Sequence, residues 1–305
     1  SQITPENCTE FAHVVEESGL PAGVINIVTG RGSVIGNEMA GSPKVDIMSV
    51  TGSVSAGESI MKAAANNITK VSLELGGKAP AIVFPDADLE ASAQWILDSR
   101  IGNNGQICNN AERVYVHKDI KKEFTDILLR KFEAVKVGDP CKDHTVDMGP
   151  LVEKRALESV EAKVENAIKQ GAKVLCGGHR VGDKGYFYAA TLLDNCTQDM
   201  DIIHEETFGP VLPIVEFEDT DQVIAWANDV EYGLASSVFT KDIDTAAKVT
   251  RGLEFGETYI NREHFEAMQG FHAGVKKSGI GGADGKHGVE EYLVTHVTYL
   301  DTHYE

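Results

Sequence analysis

Cys108 stands in the segment Gly105-Gln106-Ile107-Cys108-Asn109-Asn110-Ala111-Glu112-Arg113, a thiol among small and polar neighbours. Thirty-four residues upstream begins Glu74-Leu75-Gly76-Gly77-Lys78, a carboxylate beside a glycine pair that lets another group approach the backbone closely. A thiol nucleophile and a carboxylate base are the equipment of covalent acyl chemistry. The thiol must carry thiolate character to attack, and desolvation would raise the carboxylate towards the range useful for a base. On its residues alone, Glu74 reads either as a salt-bridged structural group at the end of an apolar strand or as a poised base. No histidine lies near Cys108 in the sequence, and nothing demands a Cys–His dyad of the protease kind.

Other segments could serve the same chemistry. Gly52-Ser53-Val54-Ser55-Ala56-Gly57 reads as a strand-to-helix turn, where backbone N–H groups and the positive helix end favour a phosphate; a plain helix start is the competing reading. It is neither a P-loop nor G-x-G-x-x-G. Glu205-Glu206-Thr207-Phe208-Gly209-Pro210 offers a carboxylate able to take two hydroxyl donors, or is simply an exposed acidic pair before a core strand. The stretch Glu257–His272 is rich in polar groups suited to a small hydroxylated ligand, or is a surface loop with a solvated histidine.

These residues need a scaffold. Helices are expected at residues 6–19, 33–41 and 54–66, and strands at 24–28, 45–50 and 71–75. Further strands fall at 81–84, 113–117, 211–217, 235–239 and 256–261. Asp119 is placed to cap a helix bearing Ile120, Phe124, Ile127, Leu128 and Phe132, and Leu157, Val160, Val164 and Ile168 mark another. Strands alternating with helices at this pace predict βαβ units and a parallel sheet. The tail, 292–300, is strand-like and would seek an edge to pair with, often in another subunit.

The chain has 305 residues, enough for two domains, and a formal net charge of −19. That charge repels phosphate backbones and argues against nucleic acid. No segment approaches the length of a membrane span, and no secretory signal is visible. The cysteines (Cys8, Cys108, Cys141, Cys176 and Cys196) are odd in number and scattered, without C-x-x-C, unlike a disulfide framework or zinc site. This pattern fits free thiols in a cytoplasmic protein with no metal.

The two leading segments, their spacing, and the Thr51-Gly52-Ser53 and Glu205–Pro210 segments together resemble the aldehyde dehydrogenase superfamily over essentially all of residues 1–305. Within it the chain is most similar to the group acting on lactaldehyde and glycolaldehyde. The resemblance implies an α/β fold with a partial Rossmann-type parallel sheet. Residues 1–75 would be the later part of the dinucleotide-binding domain, 76–276 the catalytic domain, and 277–305 a closing loop and oligomerisation tail. It further implies chain ahead of Ser1, so the sequence is expected to be a fragment or a truncated product.

By the same resemblance, Cys108 would attack an aldehyde carbonyl and Glu74 would activate the water that cleaves the resulting thioester. The Cys108 backbone N–H would be one oxyanion donor, the other being an asparagine ahead of residue 1. Gln2, Asn37, Gly52, Ser53, Gly57, Leu75, Gly76, Glu206 and Phe208 would hold NAD; Gln2, where NAD-favouring members carry glutamate, leaves NADP open. Asn109, Glu266 and His272 would bind a small hydroxyaldehyde, a neutral molecule indifferent to the chain's charge. Ala283-Asp284-Gly285 follows the closing loop, where many members place a glutamate one residue before Asp284, so a relay through that carboxylate is not expected. A homodimer or homotetramer is implied. Two other outcomes stay open: a non-catalytic homologue that keeps the fold, and a semialdehyde dehydrogenase passing its acyl group to coenzyme A, against which Glu74 argues.

Overall fold

The computed structural model describes residues 2–262 and 264–302. The chain divides into two compact units, Ser1–Val71 and Ser72–Glu305. The first holds α1 (Glu6–Glu17), α2 (Gly32–Ala40), β1 (Ile47–Thr51), α3 (Val54–Ala64) and the start of β2 (Lys70–Glu74). Ser53 caps α3, its hydroxyl accepting from the Ala56 N–H at 3.2 Å. The strand expected at 24–28 does not form: Val24 and Val28 are exposed, and β-propensity without a neighbouring ladder makes no strand.

The second unit continues with β3 (Ala79–Val83), α4 (Leu89–Ile101), β4 (Ala111–His117), α5 (Lys121–Glu133), α6 (Lys154–Gln170), β5 (Lys173–Cys176), β6 (Thr191–Cys196) and α7 (Asp201–His204). Then come β7 (Val211–Phe217), α8 (Thr220–Asn228), β8 (Tyr232–Gly233), β9 (Ala235–Phe239), α9 (Ile243–Gly252), β10 (Glu257–Ile260), β11 (Val275–Lys276), β12 (Gly279–Ile280) and α10 (Gly285–Glu290). Seven strands form one sheet in the order β10-β9-β3-β4-β7-β6-β5, parallel except for the edge strand β5.

Both faces of this sheet are covered, as parallel strands require. Ala81, Val83, Val114, Val116, Leu212 and Ile214 point to the side of α4 and α5. Ile82, Tyr115, Val215 and Phe217 alternate to the other side, against α6, α8 and α9. The face of α5 is the one expected, but Asp119 does not cap it: residues Lys118–Ile120 form a short 3-10 turn, and Ile120 takes the cap position. On α6, Leu157, Val160 and Val164 are buried while Ile168 reaches solvent, lying past the centre of the apolar stripe.

The division between the units falls at Val71. The end of β2 lies with the second unit because Leu73 and Glu74 pair antiparallel with Ile280 and Gly279 of β12. Residues 277–302 also fall in that unit, and the tail after Leu293 forms no strand; its apolar side chains, Val294 and Tyr299 among them, meet no partner strand and are exposed. All five cysteines are free.

Leu128 is fully buried in the α4–α5 side of the core. Leu128→Ala is expected to destabilise the second unit by about 2–5 kcal/mol in urea unfolding, the usual cost of such a cavity.

Candidate active site

Four segments that carry candidate site residues lead into parallel strands of the large sheet and so meet at one edge of it. Gly76-Gly77 precedes β3, Cys108 precedes β4, Glu206 precedes β7, and Glu257 begins β10.

Their common anchor is Glu112, buried near the start of β4. One oxygen takes the Lys78 ammonium at 2.7 Å and the Thr207 N–H at 3.1 Å; the other faces Arg100 at 2.9 Å and takes the Phe208 N–H at 3.3 Å. Burial alone would raise the Glu112 carboxyl, but Arg100 and Lys78 outweigh it and hold it at about 2. Burial in turn pulls Lys78 down to about 8, against the pull of Glu112. Arg100 also donates to the carbonyls of Ala111 and Gly209. Three of the segments are thus tied to one carboxylate.

The glycine pair has a steric cause. A Cβ on Gly77 would overlap the Cys108 carbonyl oxygen, and one on Gly76 would lie 2.7 Å from a Glu206 carboxylate oxygen. The Gly77 N–H donates to Glu206 Oε1 at 2.9 Å. Burial pushes Glu206 up to about 7, helped by the charge of Glu112. On the opposite side, buried Ser278 donates its hydroxyl to the Gly76 carbonyl at 2.7 Å, accepts the Gly233 N–H at 2.9 Å, and offers its own carbonyl to the Leu75 N–H at 2.8 Å.

Glu74 closes the other flank. It is buried, and neither carboxylate oxygen has a hydrogen-bond partner among the described residues. Burial pushes it up to about 7, with His272 pulling down and Glu257 and Asp284 pushing up. His272 Nε2 lies 3.6 Å from Glu74, while Nδ1 donates to Glu257 at 2.9 Å. The half-buried Cys108 thiol packs beside Ala79, Leu234 and Tyr259, and the influence of Cys108 and Glu257 pushes His272 up.

Asn109, buried next to Cys108, donates to Glu266 at 2.8 Å. Phe208 adopts a positive φ of 48° and is partly exposed beside Glu206, a strained backbone of the kind found at ligand clamps. Gln2, Asn37, Gly52, Ser53 and Gly57 belong to the first unit. There Asn37 accepts from the Ser59 hydroxyl at 3.0 Å, linking α2 to α3, and Gly57 is buried in α3. Gln2 lines a cavity of about 690 Å³ with Ile27, Thr29, Gly30 and Arg31; Asn37, Gly52 and Ser53 do not line it.

Sequence reasoning assigned no role to Lys78, Arg100, Glu112, Glu257, Tyr259 or Ser278. The signal available was a charged pair, Glu112-Arg113, at the head of an otherwise apolar strand. A charge there must find a buried partner. His272 lies far from Cys108 in sequence, so only the fold could bring them together. The charge of Asp284, at the head of α10, adds a small upward push on Glu74.

Residues 1–298 match the family model described as the aldehyde dehydrogenase family. The chain belongs to the aldehyde dehydrogenase family. It is 58% identical over 302 residues to a lactaldehyde dehydrogenase of Escherichia coli (strain K12), covering 99% of this chain and 63% of the relative. A crystal structure of lactaldehyde dehydrogenase from Escherichia coli superposes with a TM-score of 0.96 at 58% identity, covering 97% of this chain and 62% of that one. A 3,6-anhydro-L-galactose dehydrogenase solved in complex with NADP gives 0.93 at 48% identity, covering 95% and 62%. The chain therefore has the fold of this family and spans less than two thirds of the length of these relatives.

Glu112→Ala would leave Lys78 and Arg100 buried without their counter-charge. The expected loss is about 3–5 kcal/mol in denaturant unfolding.

Proposed function

We propose that this chain carries the catalytic centre of an NAD(P)-dependent aldehyde dehydrogenase that oxidises a small hydroxyaldehyde, such as lactaldehyde or glycolaldehyde, to its carboxylate. One observation carries this reading: Glu74 is a buried carboxylate whose oxygens have no hydrogen-bond partner among the described residues, with His272 at 3.6 Å, and burial pushes it up to about 7. A structural carboxylate would be paired, as Glu112 is.

Cys108 adds to the aldehyde carbon and forms a thiohemiacetal. Its backbone N–H faces the developing oxyanion. What the dinucleotide supplies when bound is a hydride acceptor. Glu74 takes a proton from water, which attacks the acyl carbon; the carbon–sulfur bond breaks and the carboxylate leaves. Water as acceptor, rather than a second thiol, is what a buried carboxylate pushed up to about 7 favours.

The fit to the dinucleotide is supported by the partly exposed Phe208 ring beside Glu206. Glu206 would take ribose hydroxyls, Leu75 and Gly76 would line the nicotinamide side, and Gly52, Ser53 and Gly57 at the head of α3 would face the pyrophosphate. Gln2 and Asn37 would lie on the adenosine side. The family uses NAD(P), and a neutral Gln2 tolerates either form. Residues 1–75, 76–276 and 277–305 would then serve as dinucleotide, catalytic and oligomerisation segments.

The substrate class is supported by the Asn109–Glu266 pair, whose polar atoms at the mouth suit a hydroxylated aldehyde; such a site rejects analogues that leave buried groups unpaired. The name of the Escherichia coli relative points the same way. The exposed apolar tail supports a homodimer or homotetramer, and the free thiols support a cytoplasmic location. No helix among the described residues is long and apolar enough to cross a membrane.

The test follows NADH or NADPH absorbance with glycolaldehyde and lactaldehyde, using the protein that carries this chain. Cys108→Ala should abolish turnover. Glu74→Gln should leave a single burst of reduced cofactor and cut steady turnover by about 10²–10⁴-fold. Because Glu74 must be ionised to act, hydrolysis in the unaltered protein should weaken as the pH falls through about 7. Normal steady turnover by Glu74→Gln would remove the base from the mechanism.

A further inference from the structure

The backbone that leads into Cys108 has a left-handed turn in it. Asn103, Asn104 and Gly105 follow one another at positive φ, 45°, 60° and 73°. Asparagine and glycine tolerate this region best, but three in succession persist only where the surroundings hold them. Gln106 closes the turn from within. The Asn103 carbonyl takes the Gln106 backbone N–H at 3.1 Å and its Nε2 at 3.0 Å, and Asn103 Nδ2 donates to the Gln106 carbonyl at 3.1 Å.

The same amide also reaches outwards. Gln106 Oε1 accepts the Val152 N–H at 3.0 Å, so each end of the side chain is used and one orientation of the amide serves both. Asn104 Nδ2 donates to the Pro150 carbonyl at 2.7 Å. The segment they grip is itself held: the Leu151 N–H donates to the Tyr186 carbonyl at 2.9 Å, and the Leu151 side chain is buried. A Cβ on Gly105 would overlap the Gly209 carbonyl oxygen, which also takes Arg100. On the other side of the thiol, Gly77 packs against the Cys108 carbonyl. The half-buried thiol thus sits between two fixed stretches of backbone. Among the described residues, the Gln106 side chain bonds to Asn103 and Val152 and to no ionisable group of the site.

We propose that Gln106 is a positioning residue for Cys108, assisted by Asn104: the two amides staple the left-handed turn to Pro150–Val152 and so fix where the thiol stands. Attack on an aldehyde carbon needs the sulfur at a set distance and angle from a carbonyl that other groups hold. A displacement of about 1 Å can cost about 10²-fold in rate. With the staples removed, the backbone ahead of Cys108 relaxes towards ordinary right-handed geometry and carries the thiol with it. This deepens the reading of Cys108 as nucleophile and rests on it.

The experiment uses the whole protein that carries this chain. Gln106→Met, of similar length, removes both amide bonds, while Asn104→Gly keeps the left-handed backbone and removes only the Pro150 bond. With glycolaldehyde, kcat should fall about 10²-fold in Gln106→Met and about tenfold in Asn104→Gly, with KM moving by less than about threefold. Gln106→Glu, which can still accept the Val152 N–H, should recover part of the loss. Iodoacetamide alkylation at a single pH, read by mass spectrometry, should speed up about threefold at Cys108 in Gln106→Met and Asn104→Gly. Exposed Cys8 and Cys141 should keep their rates, and buried Cys196 should stay protected. Should Gln106→Met fail to fold, Asn104→Gly carries the test. Folded variants with unchanged kcat, or with Cys196 uncovered along with Cys108, overturn the proposal. Alkylation needs neither aldehyde nor dinucleotide. If the unaltered protein oxidises no aldehyde, the proposed reaction falls, and the Cys108 alkylation rate alone decides the staple.

Discussion

The carboxylate of Glu112 is the constraint on which the site depends. It binds the Lys78 ammonium, the Arg100 guanidinium and two backbone N–H groups from the Glu206–Phe208 segment. Arg100 comes from α4, and the other partners belong to segments that carry candidate site residues: Lys78 follows Gly76-Gly77, and Thr207-Phe208 follow Glu206. Glu112 itself lies four residues after Cys108 in a turn that enters β4. The arrangement is expensive, since a lysine, an arginine and a glutamate lose their water together. What it supplies is registry. A purely apolar cluster would pack as tightly but would leave the segments free to slide, whereas four directed bonds to one group fix their relative positions.

The direction of approach follows from the same geometry. In open parallel sheets, ligands usually gather beyond the carboxyl ends of the strands. Here the second unit gathers Cys108, Glu206, Gly76-Gly77 and Glu257 at strand entries instead. Helix N-termini therefore do not supply the polar environment at Cys108, and side chains have to do so. That accounts for the density of ionisable groups in this corner: Glu74, Glu257, Asp284, His272 and Tyr259 act on one another within a single neighbourhood. It also accounts for the glycines, because segments entering adjacent strands converge there and a Cβ at Gly76 or Gly77 would collide with its neighbours.

Much of the fold was legible in the sequence, because strands such as 211–217 and 235–239 are short apolar runs between helical periods. The failures share a cause. Residues 24–28 and 292–300 have strand composition, but composition does not supply a partner, and a strand exists only in a ladder. Cys108 and Glu74 stand out in the sequence as candidates because each sits in a distinctive local setting. Asn109 and Glu266 were named as separate substrate contacts, and the fold makes them a pair. The roles of Glu112 and Glu257 could not be read, since each is defined by what lies across the sheet from it. A charge inside an apolar strand announces that a partner exists without saying which.

Three buried carboxylates in one site differ because of their neighbours. Glu112, facing two cations, is held at about 2, while Glu74 and Glu206, buried without a cation in direct hydrogen bond, are pushed up to about 7 from an ordinary 4.5. These shifts act on folding with opposite signs. A carboxyl raised in the folded state binds its proton more tightly there, so Glu74 and Glu206 favour the folded chain when protonated and oppose it as the pH climbs from about 4.5 to 7. Glu112 contributes above the ordinary carboxylate range and loses its contribution only as the pH falls towards about 2. Near neutral pH Glu112 is thus fully ionised while Glu74 and Glu206 are about half-ionised. Hydrogen-bonded to cations as Glu112 is, Glu74 would be held low and would be a weak base near pH 7. With His272 no closer than 3.6 Å and no hydrogen bond to either oxygen among the described residues, burial wins at Glu74, while the directed bonds that fix the neighbouring segments fall to Glu112.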